Sequence, residues 1–461
     1  MAPLNAVNEQ KPREIAVRVL QQQRASGRFI EDLLENALSG ASLSSADRAL
    51  CQEVTYGMVR WQAALDWLIA RKTNGREQKP ALQNLLRLGL YQIFWLDRIP
   101  DHAAVHETVE LAKHNGLGAQ AGFVNAILRG YLRETGATEK LLTELKVTQP
   151  ATGWSHPEWL VARWQSRWGR DRTAQLLQWN NLPPKTYARV NTLKTDAGRL
   201  LEKWRAENVE YDFVRSGGRQ TAASLAETEA SGFLPKAATF ENLVFELKAH
   251  PPLNSLASFR DGWFYIQDPS TLLAVAKLDP QPGETVLDFC AAPGGKTTFI
   301  AQLMNNQGRI IAQDISEDRL KLIRENCGRL GVTCVEPLLA SALDPRPPTF
   351  DRILVDAPCS NTGVMRRRVD LRWRIQPAEI ERLRSDQLNL LKQAAPQVKS
   401  GGVLVYSTCS LEPEENGGVV QLFLGEHADF KLESEHELLP FTDTVDGAYV
   451  ARLVRAPITS P

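Results

Sequence analysis

The sequence has few of the residues that mark secreted or metal-binding proteins. Its 461 residues include only six cysteines and seven histidines. There is no CxxC pair and no histidine cluster at the spacing of metal ligands. This pattern argues against both a metal site and the disulfide framework of a secreted protein. We therefore expect no bound metal and a reducing, cytoplasmic setting.

Long apolar runs are also missing. The longest, Leu85 to Leu96, is interrupted by Arg87 and is too short to span a bilayer. The segment Met1 to Pro12 lacks the basic end and apolar core of a secretory signal. We therefore expect a soluble protein that has no membrane partner.

The chain has no excess of either charge, since 54 Lys and Arg residues balance 54 Asp and Glu residues. The net charge therefore predicts no polyanion partner, and local basic patches would have to bind any nucleic acid. The apolar content of 43% is enough to fill the cores of several domains in a chain of this length.

Residues 1–140 show helical periodicity. Ser44 to Asp47 provides an N-cap for one helix, and Pro80 suits the first turn of another. Five or more helices joined by short loops predict an all-α domain, which on pattern alone is typical of a structural or oligomerising bundle. The apolar faces recur in Arg13 to Arg24, Phe29 to Leu38, Leu50 to Leu68, Pro80 to Leu96, His102 to His114 and Gly122 to Arg133.

Residues 141–260 predict a helical stretch followed by a small α+β lobe. One helix opens at Ser155 to Glu158, and a second spans Thr173 to Trp179. The tryptophans in these helices have the spacing of core residues, although base stacking is the alternative. The lobe's predicted strands and helix are Tyr187 to Asn191, Ala197 to Asn208, Val209 to Val214 and Leu243 to Leu247.

From residue 261 onward, strands and helices alternate, beginning with Gly262 to Ser270. The pattern predicts a doubly wound α/β domain with a parallel sheet and a ligand site beyond the carboxyl ends of its strands. Two of its strands, Arg352 to Val355 and Val403 to Tyr406, are each followed by a cysteine and by turn formers. Two thiols at strand ends, Cys359 and Cys409, suggest one site.

A glycine loop follows the strand Val286 to Phe289. Its end resembles a Walker A phosphate loop, but that motif requires a glycine where this chain has Cys290. Two adjacent glycines before a helix instead suit a nucleoside with a small zwitterion, as in S-adenosylmethionine. Asp314, about twenty residues further on, ends a strand where an acidic side chain binds ribose hydroxyls. Capping the helix that begins at Glu317 is its alternative role.

The catalytic motifs carry a family resemblance. The segment 287–298, the segment 356–363, and Tyr406 to Ser410 with Glu412 to Asn416 look like the RNA cytosine-C5 methyltransferases. The helical segments 13–16, 47–49, 56–57, 86–92 and 123–129 resemble the NusB-type antitermination domain, an RNA-binding helical fold. Over nearly its whole length the chain resembles the Fmu/Sun (RsmB-type) bacterial 16S ribosomal RNA methyltransferases.

The resemblance implies a Rossmann-like class I methyltransferase domain at 261–461 that methylates carbon 5 of a cytosine, the type acting on cytosine 967 of 16S rRNA. It implies that Cys409 attacks carbon 6, that Cys359 assists release, and that Asp356 contacts the base near N3. Lys296 would aid the thiolate or the base. The implied cofactor is S-adenosylmethionine, bound by Cys290, Ala291, Ala292, Pro293, Gly294, Gly295, Lys296, Asp314 and Asp356.

Several alternatives stay open. DNA cytosine methyltransferases attack with a Pro-Cys thiol, which would make Cys359 the nucleophile. Ser341 stands where the family has an acidic residue that meets adenine. A tRNA substrate, or a non-catalytic RNA-binding assembly factor, is also compatible with the motifs. We expect Cys51, Cys327 and Cys334 to be structural.

The expected partner is 16S rRNA, either naked or in an assembly intermediate, and the expected oligomeric state is a monomer. A basic cluster, Arg366 to Arg368, follows the first cysteine loop and is itself followed by Arg372 and Arg374. Charge runs usually form a solvated face. The position of this cluster predicts instead that it holds RNA phosphates, with Trp373 either stacking on a base or lying in the core.

Overall fold

The computed structural model describes residues 11–214, 243–342 and 349–457. It divides into two compact units. Unit 1 comprises Met1–Pro183 and Met365–Arg374, and unit 2 comprises Pro184–Val364 and Ile375–Pro461. The chain thus leaves unit 2 after Val364 and returns to it at Ile375.

Helices and strands are numbered in chain order. The helices are α1 (Pro12–Ser26), α2 (Ile30–Ser39), α3 (Ser45–Arg60), α4 (Gln62–Thr73), α5 (Pro80–Trp95), α6 (Asp101–His114), α7 (Ala121–Leu132), α8 (Thr135–Thr148), α9 (Pro150–Gly153), α10 (Glu158–Asn181), α11 (Ala197–Ala206), α12 (Ala257–Arg260), α13 (Leu272–Leu278), α14 (Gly295–Leu303), α15 (Glu317–Leu330), α16 (Leu371–Arg374), α17 (Pro377–Ala394), α18 (Gly417–Glu426) and α19 (Pro440–Asp443). The strands are β1 (Thr186–Val190), β2 (Glu210–Phe213), β3 (Val244–Ala249), β4 (Phe264–Ile266), β5 (Thr285–Phe289), β6 (Arg309–Asp314), β7 (Val335–Leu339), β8 (Phe350–Asp356), β9 (Val398–Thr408), β10 (Phe430–Leu438) and β11 (Ala448–Arg455).

From residue 11 onward, where its description begins, unit 1 is all helical, as predicted. The Ser44 hydroxyl accepts the Asp47 N–H at 3.1 Å and caps α3, and Pro80 occupies the first turn of α5. The apolar run predicted as one helix is two, because the chain turns at Trp61 between α3 and α4. The apolar faces of these helices form one core, in which Ile15, Leu85 and Leu128 are buried.

The helices between residues 141 and 183 also belong to unit 1. The domain boundary that we predicted at residue 140 falls inside α8, whose Leu142 and Leu145 are buried. The two helices predicted after Ser155 are the two halves of α10, which is kinked at Gly169 (φ 78°). Of their tryptophans, Trp164 is fully buried and the others are half-buried, which fits the core interpretation.

Residues 365–374 are a segment of the C-terminal half of the chain that packs in unit 1. The Arg372 guanidinium is fully buried and donates to Asn181 Oδ1 at 2.8 Å and to the Asn180 carbonyl at 2.9 Å. Trp373 Nε1 donates to the Val59 carbonyl at 2.9 Å. Trp373 is therefore a core residue in this unit, and buried hydrogen bonds hold the segment.

The middle lobe in unit 2 has a four-stranded antiparallel sheet in the order β2-β3-β1-β4. The predicted strands and the helix α11 are confirmed. Strand β4, however, pairs with β1, with Ile266 opposite Ala188. The Gly262 to Ser270 segment, which the sequence pattern places in the C-terminal α/β domain, instead contributes the short strand that completes the lobe.

The second sheet has seven strands in the order β10-β11-β9-β8-β5-β6-β7. Strands β5 to β9 are parallel, whereas β11 runs antiparallel to both β9 and β10. The expected Rossmann-like domain is present, but its sheet is mixed rather than wholly parallel. The connection from β10 to β11 is too short for a crossover, so these strands must be antiparallel.

Helices cover both faces of this sheet. One apolar cluster includes Leu272, Phe299 and Ile323 from α13, α14 and α15. Another includes Leu391 and Phe423 from α17 and α18. The carboxyl ends of β5, β6, β8 and β9 therefore project from a rigid, doubly covered sheet. Within residues 11–214, 243–342 and 349–457, no helix combines the length and apolar character that a membrane span needs.

We expect Arg372→Ala to lower the free energy of unfolding of unit 1 by about 3 kcal/mol or more, because it leaves buried acceptors without their charged donor. Urea unfolding followed by tryptophan fluorescence measures this, since nine of the eleven tryptophans belong to unit 1. The matched control is Arg129→Ala, whose exposed guanidinium donates to Asn125 on the same helix. Equal losses in the two variants would contradict the structural role of Arg372.

Candidate active site

The loops that follow β8 and β9 lie side by side. The two strands pair in parallel with Asp356 opposite Ser407, so the loops leave the same edge of the sheet. The Sγ atoms of Cys359 and Cys409 are 3.2 Å apart, and the Cys409 N–H points to Cys359 Sγ at 3.3 Å. The prediction that the two thiols form one site is confirmed.

The two thiols have unequal surroundings. Cys359 is buried, with 8% of its surface exposed, whereas Cys409 is half-buried. The Cys409 thiol donates to Asn361 Oδ1 at 2.9 Å. The contact with Cys409 and burial together raise the pKa of Cys359 well above its usual value. A reagent entering the site therefore reaches Cys409 more easily, and Cys359 keeps its proton more firmly than an ordinary cysteine does.

Asp356 and Lys296 form an ion pair beside the thiols. Lys296 Nζ lies 2.5 Å from Asp356 Oδ2, and the Ser407 hydroxyl donates to Asp356 Oδ1 at 2.7 Å. Burial by itself lowers the pKa of Lys296, but the charge of Asp356 and the hydrogen bond to it more than offset burial, and the pKa is raised. Lys296 therefore carries a positive charge, and it holds the Asp356 carboxylate in place.

The predicted cofactor loop, 290–296, follows β5 and includes the first two residues of α14. Asp314 ends β6, is 2% exposed, and accepts the Ala292 N–H of this loop at 2.9 Å through Oδ2. Ser316, and not Asp314, caps α15 by accepting the Arg319 N–H. The alternative role of Asp314 as a helix cap is therefore wrong, and the side chain lies beside the loop.

The two glycines of the loop are needed for different reasons. Gly294 has φ 97°, in the left-handed region that side chains other than glycine rarely adopt. At Gly295, a Cβ would lie 3.1 Å from the Tyr265 ring and 3.4 Å from Gln267 Nε2. Gly294 thus allows the turn, and Gly295 allows the loop to pack closely on the middle lobe.

Sequence reasoning missed Arg189, which supports the loop from the middle lobe. It is 1% exposed and donates to the Gly295 carbonyl at 2.9 Å, to Thr298 Oγ1 at 3.1 Å and to Gln267 Oε1. Burial lowers its pKa to about 9. An arginine in an otherwise apolar strand was the available signal, because a buried charge requires partners.

Asp288 lies within the segment 287–298 and is not among the predicted site residues. It is 1% exposed, and Oδ2 accepts the Thr297 hydroxyl at 2.5 Å. Oδ1 has no hydrogen-bond partner among the residues that the structure describes. Burial raises the pKa of Asp288 to about 7, and the charges of Asp356 and Asp314 add to the effect of burial. Three carboxyl groups therefore converge at the ends of β5, β6 and β8.

The predicted RNA-binding arginines need a correction. Arg366 is 1% exposed, and its guanidinium lies 4.1 Å from the centre of the Trp179 ring in unit 1. A buried guanidinium is not available to phosphates, so Arg366 is removed from the predicted patch. Arg367 is half-buried and Arg368 exposed, and for these two RNA binding stays a prediction.

The remaining predicted positions lie outside the thiol pair. Ser341 is exposed in a single turn after β7. The rest of that predicted stretch, from residue 343, lies outside the described residues.

Cys290 has φ 71°, and burial raises its thiol pKa to about 12, so its backbone rather than its sulfur shapes the loop. In the part of the chain that the structure describes, no three His, Cys, Asp or Glu side chains are grouped to hold a metal.

Three family models match the chain. The model for 16S rRNA methyltransferase RsmB/F matches residues 275–454, and the model for the NusB family matches residues 10–133. A model for the ferredoxin-like domain of RsmF/B-like methyltransferases matches residues 156–217. The matches follow the order of helical region, middle lobe and α/β domain along the chain.

Curated relatives are similar over almost the full length. The probable ribosomal RNA small subunit methyltransferase B of Bacillus subtilis (strain 168) is 38% identical over 427 residues, covering 91% of this chain and 89% of that protein. The ribosomal RNA small subunit methyltransferase B of Escherichia coli (strain SMS-3-5 / SECEC) is 34% identical over 461 residues, covering 96% and 98%.

Solved structures share the architecture. The crystal structure of PH0851 has a TM-score of 0.74 at 23% identity, covering 96% of this chain and all of that one, which supports the fold. The structure of NSun6 from Pyrococcus horikoshii with SFG has a TM-score of 0.53 at 25% identity, covering 65% of this chain and 98% of that one.

The raised pKa of Asp288 predicts a pH-dependent stability. Its carboxyl group titrates near 7 in the folded chain and near 3.8 when exposed, so the folded state binds the proton more tightly. The stability that this tighter proton binding adds is complete below about pH 4 and is lost as the pH rises to about 7. As the pH rises from 5 to 8, we therefore expect the free energy of unfolding of Asp288→Asn to increase by about 2–3 kcal/mol relative to that of the parent chain.

Urea unfolding of both proteins across this pH range measures the gain. Asp318→Asn, an exposed acid on α15, is the matched control and should leave the pH profile unchanged. If the stability of Asp288→Asn runs parallel to that of the parent chain at every pH, Asp288 is already ionised in the fold.

Proposed function

Because the chain belongs to the RsmB/F family of 16S rRNA methyltransferases, we propose that it methylates carbon 5 of a cytosine in 16S rRNA. Family membership makes it an S-adenosylmethionine-dependent rRNA methyltransferase. We propose three finer points: the target atom, the covalent step and the modified nucleotide. By resemblance, that nucleotide is cytosine 967. The observation that carries it is the pair of thiols 3.2 Å apart beside the Asp356–Lys296 ion pair.

The residues around the loop fit S-adenosylmethionine. This cofactor carries an ammonium and a sulfonium charge, and the site offers Asp288, Asp314 and Asp356 at adjacent strand ends. The unpartnered oxygen of Asp288 and the first turn of α14 supply a buried acceptor and free N–H groups. The loop 290–296 with Asp314 would hold the cofactor, which when bound supplies an electrophilic methyl group.

The chemistry requires a nucleophile and its later release. Carbon 5 of cytosine is a weak nucleophile, so the Cys409 thiolate adds to carbon 6 and its electron pair forms the new C–S bond. The ring's displaced electrons make carbon 5 electron-rich, and Asp356 contacts the base near N3, where charge develops. Once carbon 5 carries the methyl group, its remaining proton passes to water. The C5–H electron pair re-forms the C5–C6 double bond, the C–S bond breaks, and Cys409 leaves as a thiolate, with Cys359 assisting this release.

Accessibility supports this division of labour. Cys409 is the more exposed thiol, as a nucleophile that meets a base must be. Cys359 is buried and its pKa is raised, so it is poorly suited to attack as a thiolate at neutral pH. The target base must be single-stranded or flipped out, since carbon 6 is shielded within a stack. Three expectations stay predictions: that the RNA is naked or in an assembly intermediate, that the chain is a monomer, and that it is cytoplasmic.

Bisulfite sequencing of ribosomal and transfer RNA from cells with and without the gene tests the substrate. We expect the loss of one 5-methylcytosine in 16S rRNA. Loss of a tRNA mark alone would contradict the rRNA assignment, and the absence of any change would contradict cytosine methylation.

We expect Cys409→Ala to abolish methyl transfer and any covalent RNA adduct, because carbon 6 then has no nucleophile. Cys359→Ala should accumulate an adduct that it releases poorly. Denaturing gels of each variant with RNA and cofactor measure both effects, with Cys334→Ala, a half-buried cysteine outside the pair, as control. An adduct in Cys409→Ala and none in Cys359→Ala would reverse the two roles.

We expect Asp314→Asn to weaken S-adenosylmethionine binding about tenfold or more, since a charged acceptor at the loop becomes neutral. Isothermal titration measures the affinity, and Asp318→Asn is again the exposed control. Unchanged affinity in Asp314→Asn would leave the residue with a structural role, through its contacts with the Ala292 and Ile315 N–H groups and with Arg319.

A further inference from the structure

The strongest unassigned feature is a buried carboxylate behind the two cysteine loops. Glu415 is fully buried. Its Oε1 accepts the Ser360 N–H at 2.8 Å and Gln387 Nε2 at 3.0 Å. Its Oε2 accepts the Ser410 hydroxyl at 2.5 Å and the Ser360 hydroxyl. One carboxylate therefore binds the residue that follows each cysteine.

The surrounding contacts make this carboxylate a fixed point. Gln387 on α17 also donates to the Pro358 carbonyl at 2.9 Å, which holds the loop that precedes Cys359. The Tyr406 hydroxyl donates to the Glu415 carbonyl at 2.6 Å and ties the acid to β9. The Asn416 side chain donates to the Ser410 carbonyl at 3.0 Å. The rigid sheet and helix thus hold Glu415, and Glu415 holds both loops.

We propose that Glu415 is a positioning residue that sets the separation of the two thiols by binding Ser360 and Ser410 together. The proposal rests on the proposed function for its effect on catalysis. Strand pairing ends at Asp356 and Ser407, so it does not by itself specify where Cys359, three residues beyond β8, must lie. Beyond the strands, the Gly363 N–H donates to the Cys409 carbonyl and the Leu411 N–H to Thr362 Oγ1, each at 2.9 Å. The carboxylate adds a charged link that binds the residues directly after both cysteines.

A charged acceptor suits this task better than a neutral one. Bonds to a carboxylate are roughly twice as strong as those between neutral groups, and an ionised carboxylate has no donor that could repel the donors of Ser360 and Ser410. Burial raises the pKa of Glu415, and the hydrogen bonds from Ser360 and Ser410 oppose that effect. Glutamine has the same shape but offers an NH₂ group where two donors converge.

Glu415→Gln tests the proposal. We expect kcat for RNA methylation to fall about 10- to 100-fold, because small misplacements of reacting groups have effects of that size. The affinity for S-adenosylmethionine should stay within about twofold, since none of the contacts described for Glu415 involve the loop 290–296. Glu381→Gln, an exposed acid on α17, is the matched control. A wild-type kcat in Glu415→Gln would overturn the proposal.

A second readout needs neither RNA nor cofactor. Phenylarsine oxide condenses with two neighbouring thiols, forming two As–S bonds and releasing water, and its affinity depends on their effective concentration. Peptide mapping by mass spectrometry locates the bridge between Cys359 and Cys409. We expect bridging to weaken at least about tenfold in Glu415→Gln; unchanged bridging would overturn the proposal. This measurement decides the role of Glu415 even if the wild-type chain methylates no cytosine, which would refute only the proposed function.

A double-mutant cycle separates positioning from general damage. If Glu415 acts by placing Cys359 beside Cys409, Glu415→Gln should reduce kcat much less in the Cys359→Ala background than in the wild type. An equal loss in both backgrounds would show a merely structural role. Should Glu415→Gln fail to fold, Ser410→Ala removes one bond to the carboxylate. We then expect both kcat and the bridging of the two thiols to fall in Ser410→Ala, and wild-type values of both would overturn the proposal.

Discussion

The parallel pairing of β8 with β9 is the constraint on which the site depends. Placing Asp356 opposite Ser407 makes the two strands end together, and their loops then bring Cys359 and Cys409 within 3.2 Å. The same register lets Ser407 donate to the Asp356 carboxylate. A slip of one residue would turn alternate side chains to the opposite face of the sheet and separate these groups.

The cofactor side depends on support from the middle lobe. Arg189 and Gln267 lie in or beside the lobe's sheet and contact the loop at Gly295. The cost of burying the arginine is offset by its hydrogen bonds to the loop and to Thr298. The lobe therefore has a structural task within unit 2, and a chain trimmed to the α/β domain would lose this support.

Much of this architecture was predictable because local patterns carry it. The strand ends before Cys359 and Cys409, the helix cap at Ser44 and the break in α10 follow from apolar periodicity and turn chemistry over a few residues. Strand β4 and Arg366 were misjudged because their partners are distant in sequence. Nothing near β4 indicates that it pairs with β1, and nothing near Arg366 indicates that Trp179 covers it.

The sequence by itself determined the helical region, the strand–loop–helix order of the α/β domain, and the position of two thiols at strand ends. Those conclusions rest on residue type and spacing along the chain, whereas the catalytic roles of Asp356 and Lys296 come from the family resemblance and stay a proposal. Only the tertiary structure decided that Lys296 pairs with Asp356, that Cys409 is the more accessible thiol, and that Glu415 binds both loops. The Lys296–Asp356 pair, the two thiols and the Ser360–Glu415 contact each join residues that are 50 or more positions apart, which spacing does not encode.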